Sequence, residues 1–272
     1  MSVSSPVDFA KGLSDPLQQN RLTALKNLNA WMEKNGMKHQ FTSIEIDQFW
    51  RALQYTLWMA DKRPVQQQVA AEIVLLIRKI DPSFATEWNR GFWFNLDKFY
   101  ESVDKYRIPK FHLLIRIYVA ELFAQMKSRD WDFEFVRDIM KAIPQNLTKA
   151  VGAYMQLMTV FLPELVATVE SENLRLKIKP RKVFHQLLKP FLFLIEHQSR
   201  FPFSIVSKAI EAILADPRVV NYSPETRELI KSTIQTAAMN KQTPQDVREV
   251  LFAAIETIES IPTKETKKQR TE

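Results

Sequence analysis

Few residues in this 272-residue chain have the types and spacing that chemistry needs. Cysteine is absent, which removes thiolate nucleophiles, disulfides and the usual structural zinc sites. The four histidines, His39, His112, His185 and His197, are scattered, and no pair has the i, i+4 spacing of a helical metal site. His112 sits beside an apolar stripe and reads as a hydrogen-bonded structural residue. Asp97, Glu101 and Asp104 alternate with Lys98 and Lys105, a pattern of helix-surface ion pairs rather than of paired metal-binding carboxylates. No catalytic residues, metal, cofactor or small-molecule substrate are expected.

The chemistry that remains is electrostatic. The net charge is +7, and the most polarised stretch is NLRLKIKPRKVFHQLLKP at 173–190. It carries Arg175, Lys177, Lys179, Arg181, Lys182 and Lys189 without an acid. An acid-free run of this kind suits a strip of backbone phosphates; a solvated connector between helices is the equal alternative. A second basic group, Lys267, Lys268 and Arg270, lies in TKETKKQRTE, which is polar, aperiodic and expected to be disordered. No leader or membrane span is apparent, so an intracellular, soluble protein with an acidic partner is expected, nucleic acid ahead of a membrane.

The elements that position these groups read as helices separated by proline corners. Only 4 glycines are present, against Gly-rich phosphate loops and tight hairpins. Thr42 and Glu45 form a capping-box signature. The helix they open has apolar residues on nearly its whole circumference, so it should be buried on several sides, with Trp58 as a buried anchor, and end near Met59 or Ala60. Asp61-Lys62-Arg63-Pro64 then turns the chain into a second helix with Val65, Val69, Ile73, Leu76 and Ile80 on one stripe. Earlier, Asp15-Pro16 opens a helix with Leu17, Leu22, Leu25, Leu28 and Trp31 inward.

Asp81-Pro82 opens a helix dense in aromatics: Phe84, Trp88, Phe92, Trp93 and Phe99. Their helical spacing favours core packing over base stacking, and Gly91 reads as a close-packing point or a break. Tyr106 to Ser128 is a cleanly striped helix, and Asp132 caps a shorter one reaching Ile143. Pro163 predicts a kink or break between Thr148 and Ser171, and Pro190 another between Val183 and Gln198. Ser223-Pro224 and Thr243-Pro244 read as helix caps.

Helix pairs with an inner layer are the unit of α-solenoids. The expected fold is all-α, an elongated solenoid of HEAT-like antiparallel pairs with a degenerate period of about forty residues; a compact bundle is the alternative. One domain is expected over 1–260, with a seam near 171–180, then the tail over 261–272.

FWRALQYTLWMADKRPVQQQVA, followed by VDKYRIPKFHLLIR and Trp131, resembles the ribosomal RNA processing protein 1 family of nucleolar large-subunit assembly factors. The matching positions are Trp58, Met59, Asp61, Lys62, Pro64, Gln67, Asp104, Arg107, Lys110, Phe111, Leu114, Ile115 and Arg116. Pro109 stands where that pattern has an acid, so no ion pair is expected at that corner. The resemblance implies a nucleolar, non-enzymatic scaffold in the 60S precursor that contacts pre-ribosomal RNA, early assembly factors and ribosomal proteins. It also implies a partner surface at Asp61, Lys62, Asp104, Arg107, Lys110 and Arg116. An adaptor binding protein alone, without RNA, is the alternative.

Overall fold

A computed structural model describes residues 6–169, 181–214 and 224–261. Among the described residues there are thirteen α-helices, joined by short 3-10 turns, and no strand. In chain order these are α1 Pro6–Leu13, α2 Gln18–Asn35, α3 Ser43–Trp58, α4 Arg63–Leu75, α5 Ala85–Phe99, α6 Ile108–Ser128 and α7 Phe133–Asn146. They continue with α8 Val151–Val169, α9 Arg181–Leu187, α10 Lys189–Glu196, α11 Phe203–Leu214, α12 Pro224–Met239 and α13 Gln245–Ser260. The chain divides into two compact units, Met1–Gln125 with Gln145–Leu157, and Met126–Pro144 with Met158–Glu272. The seam expected near 171–180 lies outside the described residues.

In the first unit, α3 packs against α1, α4 and α5, and α2 packs against α4. Trp50 Nε1 donates to the Trp88 carbonyl at 2.8 Å and Gln54 Nε2 to that of Phe92 at 3.1 Å, both pairs 38 residues apart. Further along both helices the Trp58 ring meets Phe99. The contacts advance together along both helices, so α3 and α5 run parallel, with α4 carrying the chain back between them. In the second unit α10 lies against α12 and α11 against α13. There Arg227, in the first turn of α12, reaches the Ile261 carbonyl just past α13 at 3.4 Å, and Lys231, four residues on, pairs with Glu259 at 2.7 Å, so these neighbours run antiparallel. Helices two apart in sequence lie side by side in each unit, the stacking of an α-solenoid, and the 38-residue offset is close to the expected period.

The capping box is present: Thr42 Oγ1 accepts from the Glu45 amide and the Glu45 carboxylate accepts from the Thr42 amide. Ile46, Phe49, Trp50, Leu53 and Leu57 are buried, but Ile44 is 71% exposed and Trp58 only half-buried, so α3 keeps one open edge. The aromatics of α5 are core as expected, with Phe92 stacked on Tyr118 at 3.7 Å between ring centres. A Cβ on Gly91 would stand 2.6 Å from Ile46 Cγ2 and 2.7 Å from Trp50 Cδ1, so this glycine serves close packing rather than a break.

Several expectations are corrected. The short helix α1 was not expected from the sequence, and the buried face of α2 is Arg21, Leu25, Leu28 and Met32, while Leu17 is exposed. The stripe beginning at Val65 is α-helical only to Leu75 and tightens to a 3-10 turn over Leu76–Lys79. Pro163 does not break α8, which is continuous. Pro163 is exposed, so its ring lies on the solvent side of the helix. Pro190 does separate two helices, α9 and α10.

The helix α8 is also long and apolar enough, by length and composition alone, to cross a bilayer, contrary to expectation. Its Tyr154, Leu157, Phe161 and Leu165 are buried in the fold. Thr243 does not cap α13. Its hydroxyl donates to the Ala237 carbonyl at 2.6 Å and accepts from Gln198 at 2.8 Å, and the N-cap position is Pro244.

Asp97 and Glu101 are not paired with Lys98 and Lys105 as expected. Asp97 Oδ1 instead accepts from the amides of Thr148, Lys149 and Ala150 at 2.6–2.9 Å, and Glu101 from that of Val151 at 3.1 Å. Two carboxylates from the end of α5 and the turn after it thus satisfy the unpaired donors at the start of α8, where a helix favours negative charge.

Candidate interaction surface

The corner at the end of α3 is built by side chains that arrive from far along the chain. A helix end leaves carbonyls without partners, and here the carbonyl of Trp58, the last residue of α3, and those of the three residues after it are filled in succession. Lys110 Nζ, from the first turn of α6, donates to Trp58 O at 2.5 Å and Ala60 O at 2.6 Å. Arg21, from α2, donates to Met59 O at 2.9 Å while holding the carbonyls of Asp15 and Pro16. Gln66 Nε2 reaches both Ala60 O and Asp61 O at 3.0 Å. Two cations thus sit at the negative end of the α3 dipole.

Lys110 is 5% exposed. Burial holds its ammonium below the ordinary lysine range, with repulsion from Arg107 in the same direction and the attraction of Asp61 and Asp104 against it. The residue is therefore a buried clamp on carbonyls rather than part of a partner surface. Pro109 in place of an acid fits this, because the ammonium takes carbonyl oxygens instead of a carboxylate.

Contrary to expectation the corner does hold an ion pair, Asp104 with Arg107 in the turn before α6, and the guanidinium holds the Asp104 carboxyl below its usual range. Asp61 and Lys62 are exposed at the corner, as is Arg116 on α6. The structure thus brings Asp61, Lys62, Asp104, Arg107 and Lys110 together around one corner. Sequence patterns did not single out Arg21 and Gln66 within the clamp, or Lys105 and Tyr106 beside it. Tyr106, expected inside α6, precedes it and is 82% exposed. Pro109 is the signal, since proline suits the first turn of a helix and pushes the preceding chain out of it.

Of the basic strip, Arg175, Lys177 and Lys179 lie outside the described residues, as do Lys267, Lys268 and Arg270. Arg181 opens α9 and Lys189 is exposed at the start of α10. The Lys182 ammonium lies 4.3 Å from the centre of the Phe133 ring, a cation–π contact that engages one of the strip's charges within the fold. His112 Nε2 is 2.9 Å from the Tyr100 hydroxyl, the structural bond expected of it. Among the described residues no three His, Asp or Glu side chains converge as a metal site would require.

Residues 4–271 match the family described as nucleolar protein, Nop52. Ribosomal RNA processing protein 1 homolog A of Mus musculus is 24% identical over 174 residues, which are 61% of this chain and 35% of the mouse protein. The Drosophila melanogaster homolog is 23% identical over 73% of this chain and 29% of its own length, and that of Dictyostelium discoideum 21% over 81% and 47%. The chain therefore spans between about a third and a half of the length of these relatives. A designed armadillo repeat protein aligns with 94% of this chain and 100% of its own at 14% identity, with a TM-score of 0.33. With the family match running through both units, from residue 4 to residue 271, the chain belongs to the Nop52 family of nucleolar proteins, whose relatives are named for ribosomal RNA processing.

Proposed function

We propose that this chain is a non-enzymatic assembly factor of the large (60S) ribosomal subunit precursor, which supports pre-rRNA processing by holding precursor RNA and early assembly factors on a rigid helical scaffold. The family match over residues 4–271 carries this reading. The physical observations agree with it. Stacked helices offer broad, fixed surfaces suited to gripping several partners, and a net charge of +7 favours a polyanionic one.

The corner built on Lys110 gives the scaffold its stiffness at one point, by tying α2, α3 and α6 together through charge-assisted hydrogen bonds. The exposed cations of the corner and of Lys189 face solvent and are available to phosphates. Purification of the tagged protein from cells, with quantification of the accompanying RNA, tests the reading. Large-subunit precursor RNA should be enriched well above small-subunit precursor RNA. Equal recovery of both, or of neither, would contradict it.

A further inference from the structure

Beside the carbonyl clamp, the same corner presents side chains that the fold does not use. Tyr106 is 82% exposed. It is held in the turn before α6, where Asp104 Oδ1 accepts its backbone amide at 3.0 Å. The Lys105 ammonium lies 5.1 Å from the centre of its ring. Lys62 and Arg63 are exposed at the α3–α4 corner, and neither has an ion-pair partner among the described residues. The two segments adjoin, because Lys110, three residues after Arg107, is bonded to Trp58 O and Ala60 O immediately before the corner. Of the acids nearby, Asp104 is engaged by Arg107, and Asp61 remains exposed.

A flat aromatic ring left in water and flanked by unpaired cations is the combination that binds single-stranded nucleic acid. The ring stacks on a base while the cations track phosphates. Duplex RNA cannot use the ring, since its bases are stacked on one another. An acidic peptide would engage the cations but has no base to stack. We infer that Tyr106, Lys105, Lys62 and Arg63 form a contact for single-stranded RNA, with Tyr106 stacking on an unpaired base. The inference rests on the reading of the protein as an RNA-contacting assembly factor and gives that contact a place.

The test is anisotropy of the purified full chain with a labelled single-stranded oligouridylate of about 12 nucleotides, within the usual site sizes, a duplex of equal length, and polyglutamate as competitor. Tyr106→Ala should weaken single-strand binding about 5- to 100-fold, leaving duplex binding, the salt slope and the helical CD melt unchanged, and Tyr106→Phe should bind as the wild type. Lys62→Ala with Lys105→Ala should lower the log-log salt slope by about 0.7 for each phosphate no longer neutralised. Wild-type affinity in Tyr106→Ala, equal weakening on single strand and duplex, or competition by polyglutamate that depends equally on Tyr106 would overturn the inference while RNA binding as such stands. Failure of the wild-type chain to bind any RNA would remove both the inference and direct RNA contact from the proposed function.

Discussion

The Lys110 ammonium lies 2.6 Å from the carbonyl oxygen of Ala60, a residue fifty positions earlier, and closes the end of α3 from a helix that begins after α5. A buried cation in this place is held by carbonyl dipoles and by the helix end rather than by a carboxylate. Lys110→Met keeps most of the side-chain volume and removes the charge, leaving the Trp58 carbonyl without its donor. Removing charge-assisted bonds of this kind costs about 1.5–3 kcal/mol, which a denaturant melt of the variant against wild type should show. Exposed Lys62→Met should change stability by less than about 0.5 kcal/mol.

Gly36 and Gly91 stand where the packing leaves no room for a methyl group. A Cβ at Gly36 would stand 2.2 Å from the Lys79 carbonyl oxygen, a backbone atom, whereas one at Gly91 meets the side chains of Ile46 and Trp50. Overpacking of a filled site costs about 1–3 kcal/mol. Both Gly36→Ala and Gly91→Ala should lower the melting temperature. Gly36→Ala should lower it more, since backbone yields less readily than a side chain.

Asp130 and Trp131 both have positive φ, 49° and 57°, in the turn that ends α6. The Trp131 amide bonds to the Met126 carbonyl at 2.8 Å, so this is a helix-end motif of the kind that usually takes glycine. Left-handed backbone costs a residue with a Cβ about 1–2 kcal/mol, of which glycine's greater freedom in the unfolded chain returns a part. Asp130 is exposed, so Asp130→Gly should stabilise the protein by about 0.5–1 kcal/mol. Trp131 is buried, and Trp131→Gly should destabilise it.

His112, bonded to Tyr100, and His185, bonded to Thr226 at 3.0 Å, are both held by burial below the ordinary imidazole value of 6.5, with Glu225 acting weakly against this at His185. The fold favours their neutral forms, so as pH falls below about 6.5 the unfolded chain binds more protons than the folded one. Their contribution is complete above that pH and lost as pH falls through the folded values. Melting temperature should therefore decline between about pH 7 and 5, before the lowered carboxyls of Glu45 and Asp104 titrate. His112→Gln should flatten this segment, and His112→Gln with His185→Gln more so.

What the sequence made legible was local grammar. The Thr42–Glu45 box, the Asp61–Pro64 corner and the apolar stripe from Phe111 to Met126 depend on residues within a few positions of one another. The side chains that decide the corner do not. Lys110 looks like a surface lysine until α6 is placed against α3, Arg21 occupies a position on α2 that periodicity gives to leucine, and Asp97 caps a helix about fifty residues away. Trp58 reads as the buried anchor of α3 because its own helix is apolar all round. Trp50 holds that place, fully buried and bonded to Trp88, because α5 covers one edge of α3 and leaves the other open. Thr243 before proline has the form of a cap, but Gln198 and Ala237 claim its hydroxyl.

Protein–RNA crosslinking within purified large-subunit precursor particles tests the central claim most directly. The predicted result is that this chain forms RNA adducts in the particle, that they map to a limited stretch of large-subunit precursor RNA, and that the modified peptides include the segment around Tyr106. Crosslinks from this chain to neighbouring proteins alone, in particles where other assembly factors do crosslink to RNA, would contradict it and leave a helical adaptor that binds protein without RNA.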